Sequence, residues 1–289
     1  MNIDRPAELH ALLAFYVEAG VDAVLDEAPV NRFTAEPSQP RTSPGLAEEP
    51  PFGSARIQRP TSRRSSNDPS NPQSHRPSAV PDAPPSPDAA IMAARDAAGR
   101  AASLGELRSI LEGFEGCGLR LTAKRLVFAD GNPEAKVMFV GEAPGREEDI
   151  EGLPFVGRSG QLLDRMMAAI GLDRTSAYIA NVIPWRPPGN RTPTPQESQI
   201  CLPFIKRQIQ LADPDILVCL GGPSAAALLG ISDGIRRVRG RWHVYHTGTR
   251  EIRAIATFHP AYLLRTPLEK RFAWRDFLAI RKALDSDDR

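Results

Sequence analysis

Hydrophobic and polar positions along this chain fall into three regimes. Between residues 4 and about 28, Leu9, Leu12, Leu13, Tyr16, Val17, Val21 and Val24 recur at the spacing of one helix face. The polar positions there are acidic (Glu8, Glu18, Asp22, Asp26, Glu27). The pattern predicts one amphipathic helix within an N-terminal segment, residues 1–33. Such a helix packs loosely on a larger domain or, in the sharper reading, docks another protein; no motif decides between them. From Thr34 to Pro87 aliphatic residues nearly vanish and Pro, Ser, Arg and Glu take over. That stretch cannot bury enough apolar surface to offset the entropy of ordering it, so residues 34–86 read as a disordered linker. Arg56, Arg59, Arg63, Arg64 and Arg76 could graze DNA phosphates, but a solvated tether is the simpler reading.

From Ser86 onward the period alternates between that of a strand and that of a helix. Four short apolar runs read as buried strands: Val137–Val140, Ala177–Ala180, Ile216–Leu220 and Ala254–Phe258. Helical patterns lie at Ala89–Ala102, Leu104–Phe114, Gly160–Ile170, Pro195–Leu211, Ser224–Leu229 and Glu269–Leu284. Strands that alternate with helices pair in parallel and need cover on both faces. The fold class is therefore α/β, a three-layer α/β/α sandwich on a four-stranded, mainly parallel sheet, spanning residues 87–289. In such a sheet, ligands bind beyond the carboxyl ends of the strands.

Composition changes this picture little but excludes several classes. The chain is 41% hydrophobic and 25% charged, as an ordinary soluble protein is. Its net charge of +1 leaves nucleic-acid binding to local charge. No apolar run reaches the roughly 18 residues of a membrane span, and the N-terminus lacks a secretory pattern. Three cysteines, Cys117, Cys201 and Cys219, are too few for a disulfide framework and suit a reducing cytosol. A membrane protein, a small secreted domain and a collagen-like chain are excluded. The expected location is cytoplasmic, a bacterial-type cytosol with the chromosome.

The unusual residues gather in the loops after the strands. Gly141-Glu142-Ala143-Pro144-Gly145-Arg146-Glu147-Glu148-Asp149 pairs small residues, which let a backbone approach a ligand, with carboxylates that can position a water. It is not a phosphate loop: no Gly-Lys-Ser/Thr follows, and the acids would repel phosphate. Phe155 sits between Pro154 and Gly157 just before a helix, where its ring is either core or a platform for a flat ligand. Asn181 ends the second strand and offers a donor and an acceptor on one amide, or else caps its own loop. After it, Arg186 and Arg191 flank a Pro-rich turn suited to a phosphate backbone. His259 follows the fourth strand and leads into Tyr262-Leu263-Leu264-Arg265. Leucines exposed beside basic residues suit insertion into an unstacked base step.

Together these loops resemble the uracil-DNA glycosylase superfamily, most closely its family 4, thermophile-type members. The resemblance covers roughly Phe114 to Leu284. Gly141–Asp149 looks like the water-activating motif and His259–Arg265 like the leucine-loop motif, while Phe155, Asn181 and Pro187–Arg191 match in order and spacing. The resemblance implies an enzyme that flips deoxyuridine out of DNA and hydrolyses its glycosidic bond, as the start of base excision repair. It implies that Phe155 stacks on the base, Asn181 reads its edge and His259 stabilises charge on the leaving uracil O2. It places Glu142 and Glu148 near the attacking water without choosing between them. Gly141 and Ala143 supply backbone contacts, Leu263 and Leu264 fill the gap in the duplex, and Asn190, Arg191 and Arg265 hold the strand. The implied partner is DNA carrying uracil or other deaminated bases, and the implied state is a monomer with no membrane partner.

One departure concerns metal. The family's [4Fe–4S] cluster sits on four cysteines, and Cys117 and Cys201 match two of them. Phe114 and Trp185 stand at the other two, and neither ligates iron; Cys219 lies within a strand and reads as core. No cofactor is expected. Rival readings are a damaged-base binding protein with little or no turnover, and a nucleotide-binding α/β protein, weakened by the missing phosphate loop. A glycosylase relative that attaches covalently to DNA through a loop histidine fits poorly, since Arg186–Thr194 contains none.

Overall fold

A computed structural model describes residues 87–287; the acidic helix expected before residue 29 and the linker lie outside the described residues. Pro87–Arg100 forms α1 and Leu104–Gly113 α2, with Ser103 capping α2 by accepting from the Glu106 N–H at 3.2 Å. Leu119–Thr122 is the short α3. The strands are β1 (Asp130–Gly131), β2 (Val137–Gly141), β3 (Tyr178–Asn181), β4 (Ile216–Leu220), β5 (Trp242–His246) and β6 (Glu251–Thr257). The remaining helices are α4 (Arg146–Glu151), α5 (Arg158–Ala168), α6 (Pro195–Ala212), α7 (Gly222–Leu229), α8 (Ile235–Val238), α9 (Pro260–Arg265) and α10 (Lys270–Asp287). No described helix is long and apolar enough to cross a membrane.

The sheet order is β1-β3-β2-β4-β6-β5. The four expected strands make its parallel centre; β1 and β5 add antiparallel edges, so the sheet has six strands where four were expected. β1 is too short to carry a period. β5, Trp-His-Val-Tyr-His, alternates with Tyr245 inward and Val244 outward, but apolar residues on both faces hide the alternation. The central strands read as unbroken apolar runs because both faces are covered. Met138, Val140, Leu217 and Cys219 face one core with α1, α2, α6 and α7, while Phe139, Ile179, Val218 and Ile255 face the other with α5 and α10. This is the expected three-layer arrangement.

The chain leaves β2 toward β3 on one side, then returns across it to β4 on the other. Loops therefore part company at the carboxyl end of β2, which opens a crevice there.

Candidate active site

A cleft of about 1020 Å³ opens in that crevice, and residues following β2, β3, β4 and β6 all line it. Backbone pairing continues past the sheet on its floor. Val182 N–H donates to the Gly141 carbonyl at 2.9 Å and Ile183 N–H to that of Glu142 at 3.0 Å. Gly141 must be glycine. A Cβ there would meet the Phe155 ring at 2.6 Å and would collide with Asn181 Oδ1.

The two candidate carboxylates are used differently. Glu148 is buried, and both its oxygens accept from backbone: Oε1 from Val156 at 3.1 Å and Gly157 at 3.0 Å, Oε2 from Gly145 at 2.9 Å. It ties the acidic turn to the loop carrying Phe155. Glu142 is half-buried on the cleft wall, where burial raises its pKa above the ordinary carboxylate range. Asp149 is also a tie. Its Oδ1 accepts from Lys124 N–H at 2.7 Å and Arg125 N–H at 3.3 Å.

Phe155 is buried beside the cleft and holds a left-handed φ of 55°. A side-chain-bearing residue there costs about 1–3 kcal/mol and persists only where its surroundings over-determine it. Its ring lies 5.5 Å from that of His259, with 29° between the planes. Asn181 is 4% exposed and its Oδ1 has no hydrogen-bond partner. A buried unpaired acceptor costs about 1–3 kcal/mol, so a ligand N–H arriving there is favoured.

His259 caps α9: its Nδ1 accepts from the Ala261 N–H at 3.1 Å. With Nδ1 an acceptor, the neutral ring carries its proton on Nε2. Burial, and secondarily the charge of Arg265, lowers its pKa to about 4, so the ring is neutral near pH 7. Gly221 at the end of β4 makes room for it. With φ of 95°, a Cβ there would stand 3.1 Å from the His259 Cβ.

At the rim, Arg191 pairs with Glu197 at 2.6 Å, and Asn190 accepts from Arg186 at 2.6 Å; Leu264 and Arg265 are exposed. Leu263 corrects the expectation of a paired leucine wedge. The tip is helix α9, which turns Leu263 into a fully buried cluster with Phe258 and Ala273 and leaves Leu264 outward. Arg146, Arg158 and the Gly221–Pro223 turn also line the cleft and were not singled out in the sequence. The glycine pair directly after an apolar strand was the available signal for the turn; Arg146 stood within the Gly141–Asp149 loop already marked by its place beyond a strand, and Arg158 approaches the cleft only through tertiary packing.

Away from the cleft, the Cys117 and Cys201 thiols lie 4.0 Å apart in the core. The Phe114 ring meets Phe204 edge-on at 4.9 Å, and Trp185 is 2% exposed in the same apolar cluster. Among the described residues no three His, Cys, Asp or Glu converge as a metal site. Two thiols with two carbon rings do not fit a four-thiolate cluster.

The profile of the uracil DNA glycosylase superfamily matches residues 128–278. The chain is 40% identical over 168 residues to a type-4 uracil-DNA glycosylase of Archaeoglobus fulgidus, covering 57% of this chain and 84% of the relative. It is 44% identical over 153 residues to that of Thermotoga maritima (52% and 77%) and 38% over 175 to that of Saccharolobus solfataricus (59% and 81%).

Proposed function

The chain belongs to the uracil DNA glycosylase superfamily, and from that premise we propose that it is a monofunctional uracil-DNA glycosylase starting base excision repair. The observation that carries this reading is the buried, unpaired Asn181 Oδ1 beside the Phe155 ring in a cleft that also holds a neutral imidazole. Uracil presents an N–H on its Watson–Crick edge where cytosine presents an acceptor, so an acceptor fixed in the pocket favours uracil.

The chemistry then follows from which groups face the cleft. A flipped deoxyuridine stacks on Phe155 and pairs its edge with Asn181. As the bond from sugar C1′ to base N1 breaks, its electron pair leaves with the base and spreads to O2. His259, neutral and with Nε2–H, donates a hydrogen bond to that oxygen, an oxyanion-type role that needs no charged acid. Glu142, whose carboxylate accepts no backbone N–H in the way Glu148 does, stabilises the cation-like sugar, orients the water and takes its proton. Glu148 keeps that turn in place. Ala143 and Gly141 let the backbone close on the base, Leu264 enters the vacated stack, and Asn190, Arg191 and Arg265 hold the strand. No lysine lines the cleft among the described residues, which supports hydrolysis without a Schiff base.

On this reading the fold needs no iron–sulfur cluster, because rings at Phe114 and Trp185 fill the volume that cluster ligands would border. The chemistry is placed wholly in residues 87–289, and the enzyme acts as a monomer in the cytosol with the chromosome. The deciding experiment is a labelled oligonucleotide panel (U·G, U·A, single-stranded U, hypoxanthine, xanthine) scored for alkali-labile abasic sites. Cleavage of the uracil substrates is expected; gel-shift binding without abasic sites would overturn catalysis in favour of a damaged-base binder.

A further inference from the structure

We propose that Arg174, in the turn between α5 and β3, is a positioning residue that sets the Phe155 ring for the flipped base; this rests on the reading of the cleft as a uracil pocket. The left-handed backbone of Phe155 must be held from more than one side. Glu148 takes the two N–H groups that follow it, and Arg174 takes the two carbonyls around it. The Arg174 Nη1 donates to the Pro154 carbonyl at 3.2 Å, and Nη2 donates to that of Phe155. Close approach closes the third side: a Cβ on Gly160 would collide with the Phe155 carbonyl.

The guanidinium is itself braced. Nε donates to Asp164 Oδ1 at 3.0 Å and Nη2 to Asp164 Oδ2 at 3.4 Å, while Nη1 also meets Asp130. Asp164 stands on α5 and Asp130 on β1, whose Cα partner on β3 is Ile179. Two carboxylates on two regular elements thus fix the plane of the fork, and its remaining donors reach two consecutive carbonyls. Only a planar guanidinium spans this set; an ammonium is a point donor and serves part of it. The partnership explains how the strained backbone of Phe155 is held. Arg174 is not among the residues that line the cleft, so its effect passes through Phe155.

The test uses the full chain with Arg174→Gln, Arg174→Lys, Phe155→Ala and the Phe155→Ala/Arg174→Gln double variant. Three quantities are read: the single-turnover excision rate, inhibition by free uracil, and affinity for a duplex bearing a tetrahydrofuran abasic analogue. Arg174→Gln is expected to weaken uracil inhibition and slow excision by about tenfold each, the scale of a contacting pair. Arg174→Lys should fall between it and the wild type. Affinity for the abasic analogue, which has no base to stack, should stay within about twofold. In the Phe155→Ala background Arg174→Gln should add nothing. Wild-type uracil inhibition in folded Arg174→Gln, or an equal loss with and without Phe155, would overturn the proposal. Should the glutamine variant not fold, the same cycle with Arg174→Lys decides. A wild-type protein that excises uracil beside an unaffected Arg174→Gln sinks this proposal alone; a wild type that excises none sinks the function and this proposal with it.

Discussion

Asn181 and Trp185 stand four residues apart on one segment, and both are buried, yet they belong to regions built on opposite principles. Around Asn181 the cleft keeps polar atoms in deficit: an amide oxygen without a partner, a carboxylate half withdrawn from water, an imidazole held neutral. Around Trp185, among the described residues, no buried side-chain nitrogen or oxygen lacks a partner. The Phe114 and Phe204 rings pack edge to face, and the two thiols share a proton contact, which lowers the pKa of Cys117 and raises that of Cys201. A buried polar atom in deficit is costly and persists where a ligand satisfies it. A position that has lost its ligand is more cheaply filled with carbon, since a large aromatic buries 150–250 Å². The contrast sets the proposed base pocket apart from the cysteine positions, which only the resemblance links to iron.

The strongest way to break the comparison is at its apolar end. Trp185→Ala should destabilise folding by about 3–5 kcal/mol, the usual cost of emptying a buried aromatic site. Urea unfolding measures it, and a loss below 1 kcal/mol would mean that Trp185 is not filling a core volume. At the polar end His259→Ala should slow single-turnover excision on the order of 10²-fold, while the lost cap of α9 costs only about 1 kcal/mol in the same urea measurement. An unchanged rate would remove His259 from the chemistry.

The pH profile sharpens the polar end further. Glu142 must be ionised to accept a proton, and burial raises its pKa, so the rate should fall as pH drops, with its midpoint above the ordinary glutamate value. His259 is already neutral down to about pH 4, so no limb should appear near 6.5. Glu142→Gln should abolish the acid limb; a limb near 6.5 that survives in that variant would place the histidine in its charged form. The smallest expected effect is none at all. Incubation with an iron chelator should change neither melting temperature nor excision rate, and purified protein should lack absorbance near 400 nm; stoichiometric iron would overturn the filled-core account.

Much of this molecule was legible along the chain. The four central strands announce themselves because burial on both faces leaves no polar position in Val137–Val140 or Ile216–Leu220. The loops holding Glu142, Phe155, Asn181 and His259 follow from the rule that places ligands beyond strand ends, and the missing thiols at Phe114 and Trp185 are visible as letters. What stayed hidden was geometry set by partners distant in sequence. Glu142 and Glu148 are the same residue six positions apart, and they separate only when three backbone N–H groups, two of them eight and nine residues onward, occupy Glu148. Leu263 and Leu264 are neighbours with one chemistry, told apart by the rotation of α9 against Phe258. Arg174 looks like any surface arginine until Asp130, forty-four residues earlier, and the carbonyls of Pro154 and Phe155 converge on it. Apolar periodicity is local, a property of consecutive residues, and so can be read from them. Hydrogen-bond saturation and the facing of a single side chain depend on which atoms the folded chain brings within about 3 Å, and only the packed structure specifies that.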